Sequence, residues 1–396
     1  MVGTAESRGN MTSIAEQLIF WTCVGLLAYV YVGYPLLVYM VSLLFPKPVH
    51  RADIEPFVTV LITAYNEEAA IREKIENTLK IDYPADKLEI LVASDGSTDG
   101  TDLIVKELAH LGVKLFRQEG RVGKTATQNN AVEQATGEII LFSDATTHYS
   151  EDVFRTLLPS FADETVGCVA GRLVYIDKDR TDIGKGARSY WNYETFLKTA
   201  ESRACSLIGA SGCLYAVRKS AYEPMYPEAC SDFLICTSIY RKGLRSVFAP
   251  EAVCFENTNQ RSDEEMRMRI RVISQTFTDL WRNRDMLNPF KSGFFAVELI
   301  SHKVLRYAVP VILLVFWASS IVMSPWSTFY ATALAAQALF YSLAFAGWLL
   351  ERAGKRLSLL AMPLYFVLAN LASLVAFYKF LRGETYTSWD PIRQSR

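Results

Sequence analysis

The chain has 396 residues, enough for one large domain or two ordinary ones, and its hydrophobic share of 51% is high for a soluble protein because apolar residues concentrate at the two ends. With 41 basic and 42 acidic side chains the net charge is −1, so no global field draws it to nucleic acid, and no arginine–aromatic pattern suggests a single-strand platform; nucleic acid is set aside. The seven cysteines (Cys23, Cys168, Cys205, Cys213, Cys230, Cys236, Cys254) are scattered without a C-x-x-C pair, which argues against a disulfide framework and a zinc site and fits a domain in reducing cytosol.

From Leu18 to Phe45 the chain is almost continuously apolar, interrupted by Gly33-Tyr34-Pro35, and exceeds the roughly 20 residues a helix needs to cross a bilayer. It lacks a basic n-region and a small-residue cleavage site, so it reads as an anchor that stays. Between Pro56 and about Phe255 the pattern becomes alternating βαβ. FVTVLITAY reads as a buried strand, EEAAIREKIENTLKI as an amphipathic helix and LEILVASD as a second strand. TDGTDLIVKELAHL predicts a helix, VKLFRQ a strand, KTATQNNAVEQAT a helix ended by Gly137, and EIILFSDA a strand. The alternation and the right-handed crossover rule predict an α/β, doubly wound sheet.

Three apolar segments follow, Val304 to Met323, Thr328 to Leu350 and Leu357 to Leu381, with Tyr307, Trp326, Trp348 and Tyr378 at or near their ends as in interfacial belts. The expected organisation is an N-terminal segment and anchor over 1–50, a cytosolic domain over 51–260, basic interfacial helices over 261–303, and C-terminal transmembrane helices and tail over 304–396. Lys47, His50, Arg51, Lys303, Arg306, Arg352, Lys355 and Arg356 flank the spans, and the positive-inside rule puts them, with the middle region, on the cytoplasmic side of the plasma membrane. Four spans would leave both termini outside, yet Lys379, Arg382, Arg393 and Arg396 prefer the inside. A re-entrant or interfacial segment among the last three would remove the conflict.

Asp95 and Asp144 each close an apolar run, which puts a carboxylate at the C-terminal edge of a buried strand, where open α/β sheets bind ligands; Asp232 in EACSDFLI is a third landmark. Glycines of the Gly120 to Lys124 loop let backbone approach a phosphate closely while Lys124 adds charge, and Asn129 lies downstream on the same helix. Tyr65, Asn66 and Glu67 end the first strand, where the aromatic face suits a uracil ring, or where the three form an ordinary strand-to-helix turn.

TAYNEE, VASDGSTDGT, GRVGKTATQNNA, FSDATT, GASGCLYAVRK and CSDF, over roughly Val58 to Gln275, resemble family 2 glycosyltransferases of the GT-A fold, in the membrane-embedded branch that includes cellulose, chitin and hyaluronan synthases and ceramide-glucosyltransferase-like enzymes. The resemblance implies a doubly wound mixed sheet and a nucleotide site containing Tyr65, Glu67, Asp95, Lys124 and Asn129. It implies that Asp144 takes the first position of the D-x-D metal motif, whose second acid is missing because Ala145 and Thr146 follow. One carboxylate plus phosphate oxygens suffices for Mg²⁺ or Mn²⁺, and His148 reads as a loop histidine. Asp232 takes the position of the catalytic base, with Ser231 in place of the preceding acid. Arg271 takes the Arg position of Q-x-x-R-W, with Met268 for the Gln and Val272 for the Trp, which keeps leaving-group stabilisation and alters the acceptor platform. Gly209, Ser211, Gly212 and Arg269 are acceptor-site candidates, whereas Trp191, Tyr193 and Glu194 read as one face of an amphipathic helix.

The expected activity is inverting transfer from a nucleotide sugar, UDP-hexose or UDP-N-acetylhexosamine, to a membrane-associated acceptor in exopolysaccharide synthesis. The alternatives are a single-addition glycolipid enzyme and a non-catalytic subunit of an export complex. The implied partners are the bilayer, a lipid or growing polysaccharide, and a second copy or an export protein.

Overall fold

The computed structural model describes residues 3–176, 182–257, 261–355 and 357–387; Arg356, Arg393 and Arg396, expected to mark the inner side, lie outside the described residues, as does position 260 of the expected domain boundary. Among the described residues eight strands form one sheet: β1 Val58–Ala64, β2 Leu88–Ser94, β3 Val113–Arg117, β4 Ile139–Asp144, β5 His148–Tyr149, β6 Val166–Ile176, β7 Tyr215–Arg218 and β8 Arg245–Asn257. Their order across the sheet is β3-β2-β1-β4-β7-β6-β8-β5.

β1 is buried at all seven positions, as a continuous apolar run with two buried threonines should be when a parallel neighbour sits on each side. Its register pairs Ala64 with Ser94 and Thr63 with Asp144, so β1, β2 and β4 end at one level. That shared edge is where Tyr65, Asp95 and Asp144 emerge. Beyond β4 the sheet turns mixed: β7 runs antiparallel to β4 and β6, and β8 parallel to β6. Helices Ile71–Leu79, Thr101–Glu107 and Lys124–Gln134 fill the βαβ crossovers, and apolar cores lie on both faces of the sheet.

The helix Asp182–Ala204 joins this domain to the apolar helices, packing Leu197, Ala200 and Ala204 against Tyr34 and Val38. Among the described residues four helices are long and apolar enough to cross a membrane: Ile14–Leu44, Phe294–Met323, Thr328–Arg352 and Ser358–Leu381. The first carries a π-turn at Tyr29–Gly33, beside the predicted Gly33-Tyr34-Pro35 break. Tyr34 Oη donates to Glu201 Oε1 at 2.6 Å, and Arg306 donates to Glu194 Oε1 at 2.5 Å, so the first two apolar helices are tied to the domain by buried polar contacts.

Candidate active site

The turn after β2 is rigid because Asp95 is almost wholly buried and accepts from Val122 N at 2.8 Å, Gly123 N at 3.0 Å and Thr127 Oγ1 at 2.9 Å. Its carboxylate thereby holds the Gly120 to Lys124 loop against the strand end. The loop passes so close that a Cβ on Gly96 would stand 2.5 Å from Gly120 O, and Gly96, Gly120 and Gly123 all adopt positive φ. The turn after β1 is fastened to the same place: Asn66, at φ 54°, accepts from Thr98 N at 2.7 Å, and Glu67 N donates to Thr101 Oγ1 at 2.8 Å. Arg121 lies over the Tyr65 ring at 3.9 Å, so a cation stands at the aromatic face expected to meet a base.

Past this edge the charges converge. Lys124, the first residue of its helix, donates to Asp144 Oδ1. Burial alone would depress the Lys124 ammonium, but Asp144, with a smaller contribution from Asp232, outweighs it and holds the pKa above the usual lysine value. Asp232 stands in the first turn of helix Ser231–Arg241, where the helix N-terminus favours its negative charge. Gly212 marks the centre. A methyl placed on it would lie 3.3 Å from Lys124 Nζ, 3.5 Å from Asp232 Oδ2 and 3.7 Å from Asp144 Oδ2. Arg271 approaches from helix Ser262–Arg282; its burial lowers the guanidinium pKa, while Cys230, Asp144 and Asp232 raise it. The strand ends, the Gly-Lys loop, the Gly212 turn and the arginine helix therefore meet around one polar space.

Two neighbours were not legible from local sequence. Glu256, near the end of β8, is pushed up to about 7 by burial and by Asp144 nearby. Its position depends on how β8 folds back to pair with β6 and β5, which no short motif encodes. Lys198, buried in helix Asp182–Ala204, donates to Ser211 Oγ at 2.9 Å and so fixes the loop before Gly212. Burial lowers its pKa, against the pull of Glu194.

Two expected residues stand elsewhere. Asn129 turns its amide to the 222–225 segment, donating to Met225 O at 2.6 Å and accepting from Tyr222 Oη at 2.7 Å and Met225 N at 3.1 Å. Arg269 pairs with Glu265 Oε1 at 2.7 Å, donates to Tyr365 Oη and lies over the Tyr365 ring at 4.8 Å. Residues two apart point to different helix faces, so Arg271 at the site places Arg269 against the last apolar helix. Gly209 faces Phe233, and His148 Nε2 stands 3.2 Å from Glu73 Oε1.

A divalent ion fits the donor set. Asp144 supplies a hard carboxylate at the strand edge, and an ion that keeps waters and substrate phosphates needs only one or two protein carboxylates. Among the described residues no cluster of three or more His, Cys, Asp or Glu side chains is arranged to hold a metal by itself.

The sequence model for Glycosyl transferase family 2 matches residues 59–225. The chain carries a family 2 glycosyltransferase domain. Beta-monoglucosyldiacylglycerol synthase from Nostoc sp. is 32% identical over 219 residues, covering 53% of this chain and 46% of its own length. Poly-beta-1,6-N-acetyl-D-glucosamine synthase from Staphylococcus aureus is 24% identical over 246 residues, covering 60% of this chain and 55% of its own. The chain thus spans about half the length of the curated relatives it matches. The solved mannosyltransferase PcManGT from Pyrobaculum calidifontis, in complex with GDP-Man and Mn²⁺, aligns with TM-score 0.71 and 26% identity over 92% of this chain and 99% of that one. The glycosyltransferase domain has the GT-A fold, with one apolar helix before it and three after.

Proposed function

We propose that the protein is an inverting glycosyltransferase that takes a sugar from a nucleoside-diphospho-sugar, with UDP-hexose or UDP-N-acetylhexosamine expected, and passes it to a hydroxyl of a membrane-associated acceptor. The observation that carries this reading is the meeting of Lys124, Asp144 and Asp232 around Gly212 with Arg271 beside them. Asp232 takes the proton from the acceptor hydroxyl as its oxygen bonds to the anomeric carbon; the bond from that carbon to the diphosphate breaks, and the diphosphate leaves with the electron pair. Lys124 and Arg271 offer positive charge where the leaving diphosphate gains negative charge. Asp144 would hold Mg²⁺ or Mn²⁺, which when bound neutralises the diphosphate. Asp95 serves the nucleotide site by fastening the loop that presents Lys124.

For the acceptor we favour a lipid and single addition. Val272, beside Arg271, belongs to an apolar cluster with Cys205, Ile208, Phe233 and Leu280, so that position offers no aromatic platform for a chain of sugars. The likeness to a beta-monoglucosyldiacylglycerol synthase, named for a glycolipid product, supports this. The likeness to a poly-N-acetylglucosamine synthase supports polymer synthesis as the second reading, in which a second copy or an export partner would assist. The reading puts the enzyme in the plasma membrane with its catalytic domain in the cytoplasm.

The test incubates the full chain in lipid vesicles with radiolabelled UDP- and GDP-sugars and sizes the product, beside Asp232→Asn. Chloroform-soluble label identifies a lipid acceptor and high-mass label a polymer. Asp232→Asn should lower turnover by roughly 100-fold or more while donor binding by calorimetry stays near wild type. Parallel loss of donor affinity would remove Asp232 from the role of base.

A further inference from the structure

We infer that the last apolar helix does not cross the bilayer but lies in the leaflet on the domain's side, so that three helices span and the chain returns to the side that holds the active site. Helix Ala361–Leu381 runs beside the arginine helix Ser262–Arg282 in the same direction. Their contacts advance in step: Met266 packs with Leu364 and Leu368, Ile273 with Ala372 and Ala376, and Phe277 with Phe377 and Phe380 at 5.5 and 5.7 Å between ring centres. Hydrogen bonds also tie the arginine helix to the chain just before and just after the last helix. Ser262 N donates to Glu351 Oε1 at 2.7 Å, and Gln275 Nε2 donates to Tyr386 O at 3.0 Å.

The arginine helix cannot sit in hydrocarbon, since it exposes Asp263 and Arg267 and brings Arg271 to the site. A helix that follows it side by side occupies the same layer. The other neighbours agree. Helix Ala361–Leu381 meets Gly347 and Trp348 near the end of one span, and Tyr31, one turn from the Tyr34 that donates to Glu201 of the domain. It also meets Tyr307, beside the Arg306 that pairs with Glu194 of the domain. Tyr34 and Arg306 are where the first two of the other three helices meet helix Asp182–Ala204 of the domain, and Gly347 and Trp348 lie near the Arg352 end of the third. The deepest ring it reaches is Phe340, about 12 Å along its helix from Trp348.

At the far ends, Phe20, Phe316, Phe329 and Tyr330 form their own aromatic cluster, with ring centres 4.9 to 6.3 Å from Phe20. Among the described residues no ring of helix Ala361–Leu381 belongs to that cluster. That cluster joins the other three helices to one another at the end away from Trp348.

The helix buries one stripe, Ala361, Leu364, Tyr365, Leu368, Ala372 and Ala376, and exposes another that is also apolar: Met362, Leu371, Tyr378 and Leu381. Water does not suit that second stripe and a lipid leaflet does, while Lys379 and Arg382 at its end suit anionic headgroups. With three spans, Arg352 and Lys355, and Lys379 and Arg382 at the end of the last helix, all fall on the domain's side, which removes the conflict that four spans create with the positive-inside rule.

The test is cysteine labelling of the full chain in intact cells, with a membrane-impermeant maleimide applied before and after permeabilisation. The seven native cysteines are buried, and the wild-type chain sets the background. Asp53→Cys reports the domain's side, Pro325→Cys the opposite side, and Glu384→Cys the segment after the last helix; all three positions are exposed. The inference requires Glu384→Cys to label under the same condition as Asp53→Cys. Labelling together with Pro325→Cys would establish a fourth span and overturn it. The outcome does not depend on which sugar or acceptor the enzyme uses.

Discussion

Gly212 is small for a reason that geometry supplies. It does not adopt positive φ, so an alanine would meet no backbone penalty there; what it would meet is Lys124 Nζ at 3.3 Å, Asp232 Oδ2 at 3.5 Å and Asp144 Oδ2 at 3.7 Å. On the proposed reading a methyl group in that space separates the base, Asp232, from the metal-side carboxylate, Asp144, and takes room that a reacting sugar needs. Gly212→Ala should lower turnover on the order of 100-fold, as small misplacements of reacting groups do, while the thermal unfolding midpoint stays close to wild type. Unchanged turnover in a folded Gly212→Ala protein would show that the reaction runs elsewhere in the cleft. Lys124, Asp144, Asp232 and Arg271 were legible in the sequence because each ends a strand, opens a helix or stands in an ordered motif. Glu256 and Lys198 were not, since a carboxylate inside a long strand and a lysine inside a long helix acquire neighbours only from the sheet order and the tertiary packing.

At the scale of elements, the first four strands were legible because each is a continuous apolar run bounded by turn residues, and the structure keeps them within a residue or two. The antiparallel half was not. Tyr215–Arg218 is four residues long and reads as the tail of a glycine-rich loop, and its place between β4 and β6 is set by long-range pairing. The arginine helix shows how one element serves several partners: Arg271 faces the site, Arg269 the last apolar helix, and Asp279 the segment that leads into Asp232. Asp279 is wholly buried, accepts from Tyr226 Oη and from Cys230 N at 3.0 Å, and is pushed up to about 8 chiefly by burial. Because its folded-state pKa is raised, the stability linked to this proton is fully present below about pH 4 and is lost as pH rises towards 8. Asp279→Asn cannot titrate but loses the bond from Cys230 N, which costs about 1 kcal/mol. Unfolding in detergent should therefore find the variant less stable than wild type at pH 5, with the gap closing or reversing above pH 8. Parallel curves across that range would mean that Asp279 stays ionised in the folded protein.

The whole molecule holds together through the buried polar contacts between helix Asp182–Ala204 and the spans. Glu194 accepts from Arg306 at 2.5 Å and lies 3.4 Å from His302 Nε2, while Glu201 takes His302 Nδ1 and Tyr34 Oη, both at 2.6 Å. Sequence placed Glu194 on an amphipathic helix without revealing its partner, because Arg306 is 112 residues away and reads only as a flanking charge of a span. Burial would raise the Glu194 carboxyl, but Arg306 and His302 hold it well below the usual range, so it is ionised and faces cations that cannot easily reach water. Removing one member of a buried pair leaves the other charge uncompensated, so Glu194→Ala should destabilise the protein by about 3 to 5 kcal/mol. The exposed pair Arg72 and Glu107 sets the contrast: Glu107→Ala should change stability by about 1 kcal/mol or less. Thermal unfolding of both variants in detergent, read beside protease sensitivity of the junction, separates the two cases. If Glu194→Ala unfolds with Glu107→Ala and the wild type, the domain does not depend on this contact to stay seated on its spans, and the alignment of the cleft with the leaflet must come from the apolar packing of Tyr34 and Val38 against Leu197, Ala200 and Ala204.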